Sequence, residues 1–583
     1  MTDGVRLVNN KIKNNGKFSY LLLSYVIIPS LVVLIASFGL GLIWNQLGFE
    51  GVTKNFFDAV VRRFPISIAI LWVLYFIFRS IEKEKTFDLP SSQEKYQWYK
   101  TAFILIPLTT IIQYIFSNQG ILELPDIIIM LGFGALFSSV FIIAIPLLLW
   151  KTGTGNQLIS LGTAFTWLIF QMASFSARFN WYQKGNAYLQ TGILLAACIL
   201  IFVLINLKEN GLVLFILVGY FIASSGLFFY KSQTSKKPLD QSPNREILNE
   251  TTPAKTTPDI FLLIYDSYVG NETMLGYGLD NSHQEQLLRD LGFTLYPSVY
   301  SVGAASLQTM QAVLDLSLVH ENTSRKGVSG DGIVQQKLTS MGYVNHGVFE
   351  SDYMFKGTQS SYDYSLPVRS KFQGIVLIQA ILLGEFRFDI GYDEQTHADF
   401  LEVKRSVLSN EGESPRFLYA HSVYPNHSQN SGICLENETE LYAERLERAN
   451  TDMLEDVRLA IANNSDAIII VAGDHGPYLT KNCYATILKH EMSEIDRLDI
   501  QDRYGSFLAI RWPEDRPDES GDIKILQDIF PSIFAYLYDD RTYLDFRVDS
   551  TTLYTYAISG AYVKDGIIYG GLDDGEPLFL QSE

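Results

Sequence analysis

Long apolar runs dominate the first 230 residues of the chain, and a different pattern follows them. A stretch of about 20 consecutive apolar residues is long enough to cross a bilayer as a helix. About seven such stretches are present, judged by that length. They are residues 19–44, 64–79, 101–117, 127–150, 157–176, 188–207 and 211–230. The first has too long an apolar core, and too many runs after it, to be a cleavable signal peptide. Residues 1–230 are therefore predicted to form a transmembrane helical domain.

The lysine and arginine content of the short loops predicts the orientation of this domain. The N-terminal tail and the loop after the second run are rich in both, and the loops of the other parity hold fewer. Because basic loops stay in the cytoplasm, the N-terminus is predicted to be cytoplasmic. An odd number of spans then places the C-terminal half outside the cytoplasm, and a count different by one reverses this. The runs contain few charges, so an ion relay is not indicated. Two roles stay open for the transmembrane domain: it anchors the C-terminal half, or it also presents a lipid substrate to that half.

The pattern changes after residue 230. Residues 231–257 are polar, contain prolines and show no periodicity, which is typical of a linker. Three short apolar runs then indicate buried parallel strands: IFLLIYD at 260–266, FLYA at 417–420 and AIIIVAG at 467–473. Residues 437–464 have apolar positions at helical spacing. The alternation predicts an α/β domain over 258–548 with a mostly parallel central sheet. Residues 549–583 are predicted to be a C-terminal hairpin packed on it.

Charge and residue distribution narrow the chemistry. The net charge is −18, and nucleic acid is disfavoured as a partner because no basic stripe is present. All eight histidines follow residue 280, so chemistry that needs histidine belongs to the C-terminal half. Cys198 lies in an apolar run and is predicted to pack there. Cys434 and Cys483 could form a disulfide in an oxidising compartment, or remain two buried thiols.

Side chains that bind metals follow each of the three predicted strands. Asp266 ends the first, His421 and His427 follow the second, and Asp474 and His475 follow the third. Ligand sites of open α/β sheets lie at the carboxyl ends of the strands. Asp266, Asp474 and His475 are therefore candidate ligands for one divalent cation, since carboxylate oxygen and imidazole nitrogen suit zinc or manganese.

A candidate nucleophile lies in the hydroxyl-rich segment 300–318, which becomes helical in pattern after its first residues. Ser306 is preferred, with Thr309 and Ser301 as alternatives. A serine at a helix start is common in any case, because it caps free N–H groups. The same position also suits catalysis, since a helix N-terminus beside a metal favours an alkoxide and an anionic phosphoryl group.

Several hydrolase and nucleotide-binding motifs are absent. His490-Glu491 is followed by Met-Ser-Glu, so the zinc-protease pattern His-Glu-x-x-His is not formed. The chain has neither the G-x-S-x-G elbow nor the G-x-x-x-x-G-K-[ST] loop. These motifs would mark a metalloprotease, an α/β-hydrolase and a nucleotide phosphatase respectively.

Four segments together resemble a known superfamily: PDIFLLIYDSYVG, the hydroxyl-bearing helix start about 40 residues on, AHSVYPNH and VAGDHGPY. In this order they look like the alkaline phosphatase/sulfatase superfamily. They look most like its membrane-anchored branch of lipoteichoic acid synthases, phosphoglycerol transferases and phosphoethanolamine transferases. The resemblance covers residues 258–540. It implies a sulfatase-like fold and a metal site formed by Asp266, Ser306, Asp474 and His475.

The resemblance also implies roles for the remaining candidates. Ser306 would be the nucleophile, and His421 would contact the substrate phosphate or a second metal. His427 lies one residue further along than in the related pattern His-x-x-x-Pro-His, which leaves its role open. One divalent ion (Mn, Zn or Mg) is expected, with a second left open. A formylglycine sulfatase is disfavoured, because Ser306 is followed by Leu-Gln-Thr-Met with neither the Pro nor the Arg of that motif.

The expected function is a membrane-bound, metal-dependent transferase with its catalytic domain outside the cytoplasm. It would move a phosphoglycerol- or phosphoethanolamine-type head group from a membrane phospholipid to a glycan, lipid or polymer through a covalent intermediate on Ser306. Two alternatives stay open. One is a phosphodiesterase or hydrolase that uses water as the acceptor, and the other is a non-catalytic module that binds glycan or a partner protein. The cell membrane, plasma or inner, is the expected location.

Overall fold

The computed structural model divides into two compact units. One comprises Met1–Lys237 and Ser370–Asp393, and the other Pro238–Arg369 and Glu394–Glu583. The described residues are 105–117, 124–139, helical positions between 215 and 230, 243–249, 252–318, 325–355, 360–367, 395–410, 415–428, 435–480, 490–513 and 523–580. The domain boundaries set from the sequence remain predictions.

In the first unit two apolar helices are described, α1 (Leu105–Ser117) and α2 (Leu124–Ser139). Thr109 and Ser139 each donate a hydroxyl to the carbonyl four residues earlier, at 2.7 Å in both cases. Of the helices in the described residues, none combines the length and the apolarity that a bilayer crossing requires. Four of the predicted spans lie entirely outside the described residues: 19–44, 64–79, 157–176 and 188–207. Seven spans therefore stay a prediction.

The second unit is built on a seven-stranded, mostly parallel sheet. Its strands are β1 (Ile260–Tyr265), β2 (Thr294–Leu295), β3 (Val344–Phe349), β4 (Tyr364–Leu366), β5 (Arg416–Ser422), β6 (Ile468–Gly473) and β7 (Leu508–Arg511). The order across the sheet is β2-β7-β6-β1-β5-β3-β4. All neighbouring pairs from β6 to β4 are parallel, and β7 runs antiparallel to both β6 and β2. The predicted mostly parallel α/β sheet is confirmed.

Helices cover both faces of this sheet. They are α3 (Asn271–Gly276), α4 (Ser282–Asp290), α5 (Ser306–Asp315), α6 (Ile333–Ser340), α7 (His397–Ser409), α8 (Glu438–Asn463), α9 (Arg497–Tyr504) and α10 (Ile529–Tyr538). Successive side chains of a strand point to opposite faces. Ile260, Leu262 and Ile264 of β1 enter a core with α5, α6 and α10. Phe261, Leu263 and Tyr265 enter a second core with α7 and α8. Burial on both faces explains why β1 is apolar without a break.

The register of the three central strands determines where the candidate ligands lie. Tyr265, the last residue of β1, pairs with Ser422 of β5 and with Gly473 of β6. Asp266 and Asp474 therefore leave the sheet side by side, and His421 lies one residue before the end of β5. The parallel topology brings residues from distant parts of the chain to one edge.

The chain ends on this unit in a small hairpin, β8 (Tyr562–Lys564) and β9 (Ile567–Tyr569), paired antiparallel. Val563 and Ile568 are buried in a third core with Ile495 and Ile500. The hairpin thus packs on α9 and the segment before it, apart from the main sheet.

Candidate metal and nucleophile site

The carboxyl ends of β1 and β6 bring together a set of metal-type donors. One ligand atom from each of Asp266, Asp474 and His475 lies within 4.8 Å of the others. His475 Nε2 is 3.5 Å from Asp474 Oδ2 and 3.8 Å from Asp266 Oδ1. Asp474 and His475 are buried and Asp266 is partly exposed. The three residues proposed from the sequence as ligands therefore share one site.

A tight turn after β1 orients the two carboxylates. Ser267 has a left-handed backbone, with φ 61°. Its N–H donates to Asp474 Oδ1 at 2.9 Å, and its hydroxyl donates to Asp266 Oδ1 at 2.8 Å. The Tyr442 hydroxyl of α8 donates to the Ser267 carbonyl at 2.9 Å. The turn thus occupies one oxygen of Asp474 and leaves Oδ2 facing the site.

The tautomer of His475 follows from a backbone contact. Its Nδ1 lies 2.8 Å from the Gly476 carbonyl oxygen. Since a carbonyl can only accept, Nδ1 carries the proton and Nε2 presents its lone pair to the site. This is the arrangement in which metal-binding histidines are usually held.

Two buried polar atoms at the site have no hydrogen-bond partner, Asp474 Oδ2 and His421 Nε2. They lie 3.6 Å apart. Such atoms are rare in folded proteins, because each loses its hydration without replacement. A cation held by Asp266, Asp474 and His475 would satisfy Asp474 Oδ2, so the donor set fits a divalent metal.

The electrostatics of the two aspartates agree with a cation site. Burial, together with the nearby Asp474 charge, raises the pKa of Asp266 well above its usual value. Burial also acts to raise the pKa of Asp474, but His475, His421 and the Ser267 N–H outweigh it, and that pKa is lowered. Two neighbouring carboxylates oppose each other's ionisation, and a bound divalent cation would relieve this repulsion.

Of the three hydroxyls proposed from the sequence as nucleophiles, Ser306 is the one that lies against this cluster. It is the first residue of α5, and Ala305 before it has an extended backbone and no side-chain cap. Ser306 Oγ lies 3.2 Å from His475 Nε2. The first N–H groups of a helix have no acceptor within the helix, so this end also favours negative charge.

The two alternative hydroxyls lie elsewhere. Ser301 and Thr309 are fully buried, and their oxygens are 2.7 Å apart. Thr309 Oγ1 also donates to the Gly303 carbonyl at 3.2 Å, and the Gly303 N–H donates to Ser301 Oγ at 3.1 Å. Both hydroxyls therefore stabilise the loop before α5, whereas Ser306 faces the ligand cluster.

His421 and His427 lie on the same edge of the sheet. His421 is buried in β5 with Nδ1 2.8 Å from the Tyr419 hydroxyl, and burial lowers its pKa to about 4. Burial and the neighbouring His475 lower the pKa of His427 to about 3. The His427 ring lies 5.8 Å from that of His475. Both are uncharged at neutral pH, which suits a ligand or a hydrogen-bond donor better than a fixed cation.

Sequence reasoning missed two side chains beside this cluster. Tyr478 stacks on His475, and Arg445 of α8 donates from Nε to the Pro425 carbonyl at 2.6 Å. Tyr478 directly follows the Asp-His-Gly-Pro segment, so its place in the sequence could have indicated that it lies near the site. Arg445 lies within a charged helical face and carries no signal in the sequence. Cys434 and Cys483 lie outside the described residues, and their pairing stays a prediction.

Comparisons with known proteins give likenesses among solved structures only. No protein-family model matches the chain, and no curated protein sequence matches it. The chain is similar to the integral membrane lipooligosaccharide phosphoethanolamine transferase A from Neisseria meningitidis, at 13% identity and a TM-score of 0.35, over 90% of this chain and 97% of that one.

Two further structures extend this comparison. A protein in the alkaline phosphatase superfamily from Vibrio parahaemolyticus is 13% identical with a TM-score of 0.35, over 58% of this chain and 83% of that one. The C-terminal periplasmic domain of EcEptC from Escherichia coli is 12% identical with a TM-score of 0.33, over 54% and 97%. The protein from Vibrio parahaemolyticus carries the name of the superfamily that the motifs of this chain resemble. At these scores the functional argument rests on the site itself.

Proposed function

We propose that the chain is a membrane-bound, metal-dependent transferase of phospho-head groups, of the phosphoglycerol or phosphoethanolamine type. The observation that carries this proposal is the convergence of Asp266, Asp474 and His475 with a serine hydroxyl 3.2 Å from His475 Nε2. Donors for a cation beside a nucleophile at a helix N-terminus form a site for an anionic, electrophilic phosphorus.

Each residue of the site has a role in the proposed reaction. Asp266, Asp474 and His475 hold the ion, and Ser306 supplies the nucleophile. When bound, the ion lowers the pKa of a nearby hydroxyl and offsets charge on phosphoryl oxygens. His421, whose Nε2 is buried without a partner, binds a non-bridging oxygen of the substrate, as His427 does from its neighbouring position.

The reaction proceeds in two balanced steps. Ser306 Oγ attacks phosphorus, an O–P bond to the serine forms, and the bond from phosphorus to the lipid oxygen breaks. The serine proton leaves with the lipid alcohol. An acceptor hydroxyl on a glycan, lipid or polymer then attacks the same phosphorus. The bond to Ser306 breaks, and the acceptor proton returns to the serine oxygen.

The test is the mass of the tryptic peptide 290–325 after the full chain is incubated with manganese and mixed phospholipids. We expect a mass increase that fragmentation places on Ser306, and its size identifies the head group. Ser306→Ala should abolish both labelling and turnover while the variant still binds manganese. A label on Thr309 or Ser301, or full turnover by Ser306→Ala, would overturn the assignment of the nucleophile.

The alternatives have their own outcomes in the same experiment. A labelled serine with free head group released into water, and none on an added acceptor, identifies a phosphodiesterase. A chain that binds no metal and is never labelled identifies a non-catalytic module. The proposed membrane location rests on the apolar runs of residues 1–230, and it makes a bilayer phospholipid the natural donor.

A further inference from the structure

Tyr478 contacts both halves of the candidate site. Its ring stacks on the His475 imidazole, with centroids 5.0 Å apart and planes 3° from parallel. Its hydroxyl donates to the Ala304 carbonyl, two residues before Ser306. The side chain is buried, with 3% of its surface exposed. Tyr478 therefore links the metal-side histidine to the loop that leads into the nucleophile helix.

A buried cation also packs against the Tyr478 ring. The guanidinium carbon of Arg503 lies over the Tyr478 ring, 3.8 Å from its centroid. The face of an aromatic ring attracts positive charge. Arg503 is itself buried at 2% exposure. Arg503 and His475 therefore both pack against the Tyr478 ring, and the imidazole cannot tilt without losing its parallel contact with that ring.

The backbone of Tyr478 is held in an unusual conformation by several hydrogen bonds. Tyr478 has φ 60°, in the left-handed region that bulky side chains rarely adopt. Asp502 of α9 accepts from Leu479 N–H at 2.8 Å and from Thr480 N–H at 3.2 Å. Ser428 Oγ donates to the Tyr478 carbonyl at 2.7 Å. A conformation of this kind persists where the surroundings determine it, and such positions are common at functional sites.

We infer that Tyr478 is a positioning residue with two separable tasks. Its ring fixes the plane of His475, so that Nε2 points at the ion, and its hydroxyl fixes the loop from Ala304 into Ser306. The inference rests on the proposed function, in which His475 is a metal ligand and Ser306 is the nucleophile. It predicts that ring and hydroxyl affect different measured quantities.

Two substitutions separate the tasks. Tyr478→Leu removes the ring and the hydroxyl, and Tyr478→Phe removes the hydroxyl alone. We expect the leucine variant to bind zinc or manganese about 10- to 100-fold more weakly, the usual effect of losing a residue that orients a metal ligand. The phenylalanine variant should bind metal as wild type does and lose turnover (kcat) with KM unchanged. Calorimetry of the purified full chain with each metal alone, and steady-state kinetics with phospholipid, provide the two measurements.

The chain offers a matched control in Tyr538. It is a buried tyrosine stacked on Tyr543 at 4.5 Å, with the Lys337 ammonium 5.2 Å from its ring. Tyr538 belongs to α10. The Leu537 carbonyl of this helix accepts from the backbone N–H of Lys255, which precedes β1, so this end of α10 lies away from the carboxyl ends of the strands. Tyr538→Leu should lower thermal stability and leave metal affinity unchanged.

The outcomes are distinct. Metal affinity in Tyr478→Leu equal to wild type overturns the role of the ring, and unchanged kcat in Tyr478→Phe overturns the role of the hydroxyl. If Tyr478→Leu does not fold, Tyr478→Trp replaces it and should keep metal affinity. If the wild-type chain binds neither metal, the proposed function is wrong, but the positioning role of Tyr478 can still be tested. Nitrogen NMR of the His475 ring then decides, because its Nδ1 proton signal should persist in Tyr478→Phe and disappear in Tyr478→Leu.

Discussion

Gly473 and Gly476 flank the aspartate–histidine pair, and neither position has room for a side chain. A Cβ at Gly473 would lie 1.8 Å from the Tyr268 carbonyl oxygen, and one at Gly476 would lie 2.1 Å from the Asp502 carbonyl oxygen. Both obstacles are backbone atoms, which cannot rotate away as a flexible side chain can. Gly473 thus allows the end of β6 to lie directly against the turn after β1, where Asp474 meets the Ser267 N–H. Gly476 allows the next turn to lie directly against α9.

This close approach predicts the effect of a single methyl group. Gly473→Ala should lower the free energy of unfolding by about 3 kcal/mol or more, because the backbone must move to admit it. It should also weaken metal binding, since Asp474 is the next residue. Urea unfolding followed by circular dichroism, with metal titration alongside, measures both.

Gly270→Ala is the matched control for that substitution. Gly270 has φ −67°, which alanine adopts without strain. The atom nearest to a Cβ added there would be the Ser506 carbonyl oxygen, at an ordinary contact distance of 3.7 Å. Its effect should stay within about 1 kcal/mol, the range for a glycine whose conformation alanine can adopt. Equal losses in the two variants would show that the close approach at Gly473 is unimportant.

At the scale of elements, apolar runs predicted the three central strands β1, β5 and β6 and missed the strands outside them. The predicted run 260–266 contains β1, and the predicted helix 437–464 corresponds to α8, Glu438–Asn463. Both are buried continuously or at regular spacing, so burial is visible in their composition. β3 reads VNHGVF, and its two polar residues, the buried Asn345 and the half-buried His346, interrupt the apolar pattern on both sides of the strand. Its strand identity comes from pairing with β5, which no local pattern records.

The same limit hid a charged network between elements. His397, at the start of α7, has Nδ1 3.0 Å from Glu350 Oε1 and Nε2 2.8 Å from Asp452 Oδ2 of α8. Glu350 also accepts from the Val423 N–H at 3.2 Å, just after β5. The three residues are far apart in the chain and match no motif. Only the packing of α7 between β3 and α8 brings them together, so sequence reasoning had no signal for them.

The network predicts a dependence of stability on pH. Burial acts to lower the pKa of His397, but the hydrogen bonds that its ring donates to Asp452 and Glu350 outweigh this effect, and the pKa is raised. A histidine with a raised pKa in the folded state stabilises fully below its ordinary value of about 6.5 and loses that contribution as the pH rises through the raised value. The free energy of unfolding of the wild type should therefore fall above about pH 6.5, and His397→Gln should remove that part of the slope.

His346 provides a control of opposite sign. It stacks on Tyr364 at 5.0 Å, and burial lowers its pKa. Its contribution to stability is present above the ordinary histidine value and is lost as the pH falls. His346→Gln should therefore change the acid side of the profile and leave the alkaline side alone. An alkaline slope that survives in His397→Gln would assign it to another group.

At the scale of the whole molecule, the sequence could predict that Asp266, Asp474 and His475 lie together, but not the distances between them. Asp266 and Asp474 each follow a strand that the apolar pattern revealed, His421 lies near the end of a third, and parallel strands end at one edge. Ser306 needed the resemblance to a family as well, because Thr309 and Ser301 share its segment and only the fold separates them. The membrane half rests on hydropathy alone, since most of its predicted spans lie outside the described residues.

The site joins the ends of strands from distant parts of the chain, so metal removal should be felt by the whole second unit. A ligand that binds only the folded state stabilises it by about 2.7 kcal/mol at 100 times its Kd. Chelation should therefore lower the melting temperature, and zinc or manganese should restore it. Asp474→Asn should abolish this response, whereas Asp528→Asn, which alters a buried carboxylate 3.7 Å from Arg547 and away from the ligand cluster, should keep it. A melting temperature indifferent to both metals in the wild type would contradict the ion on which the proposed chemistry depends, and a response that survives Asp474→Asn would place that ion elsewhere.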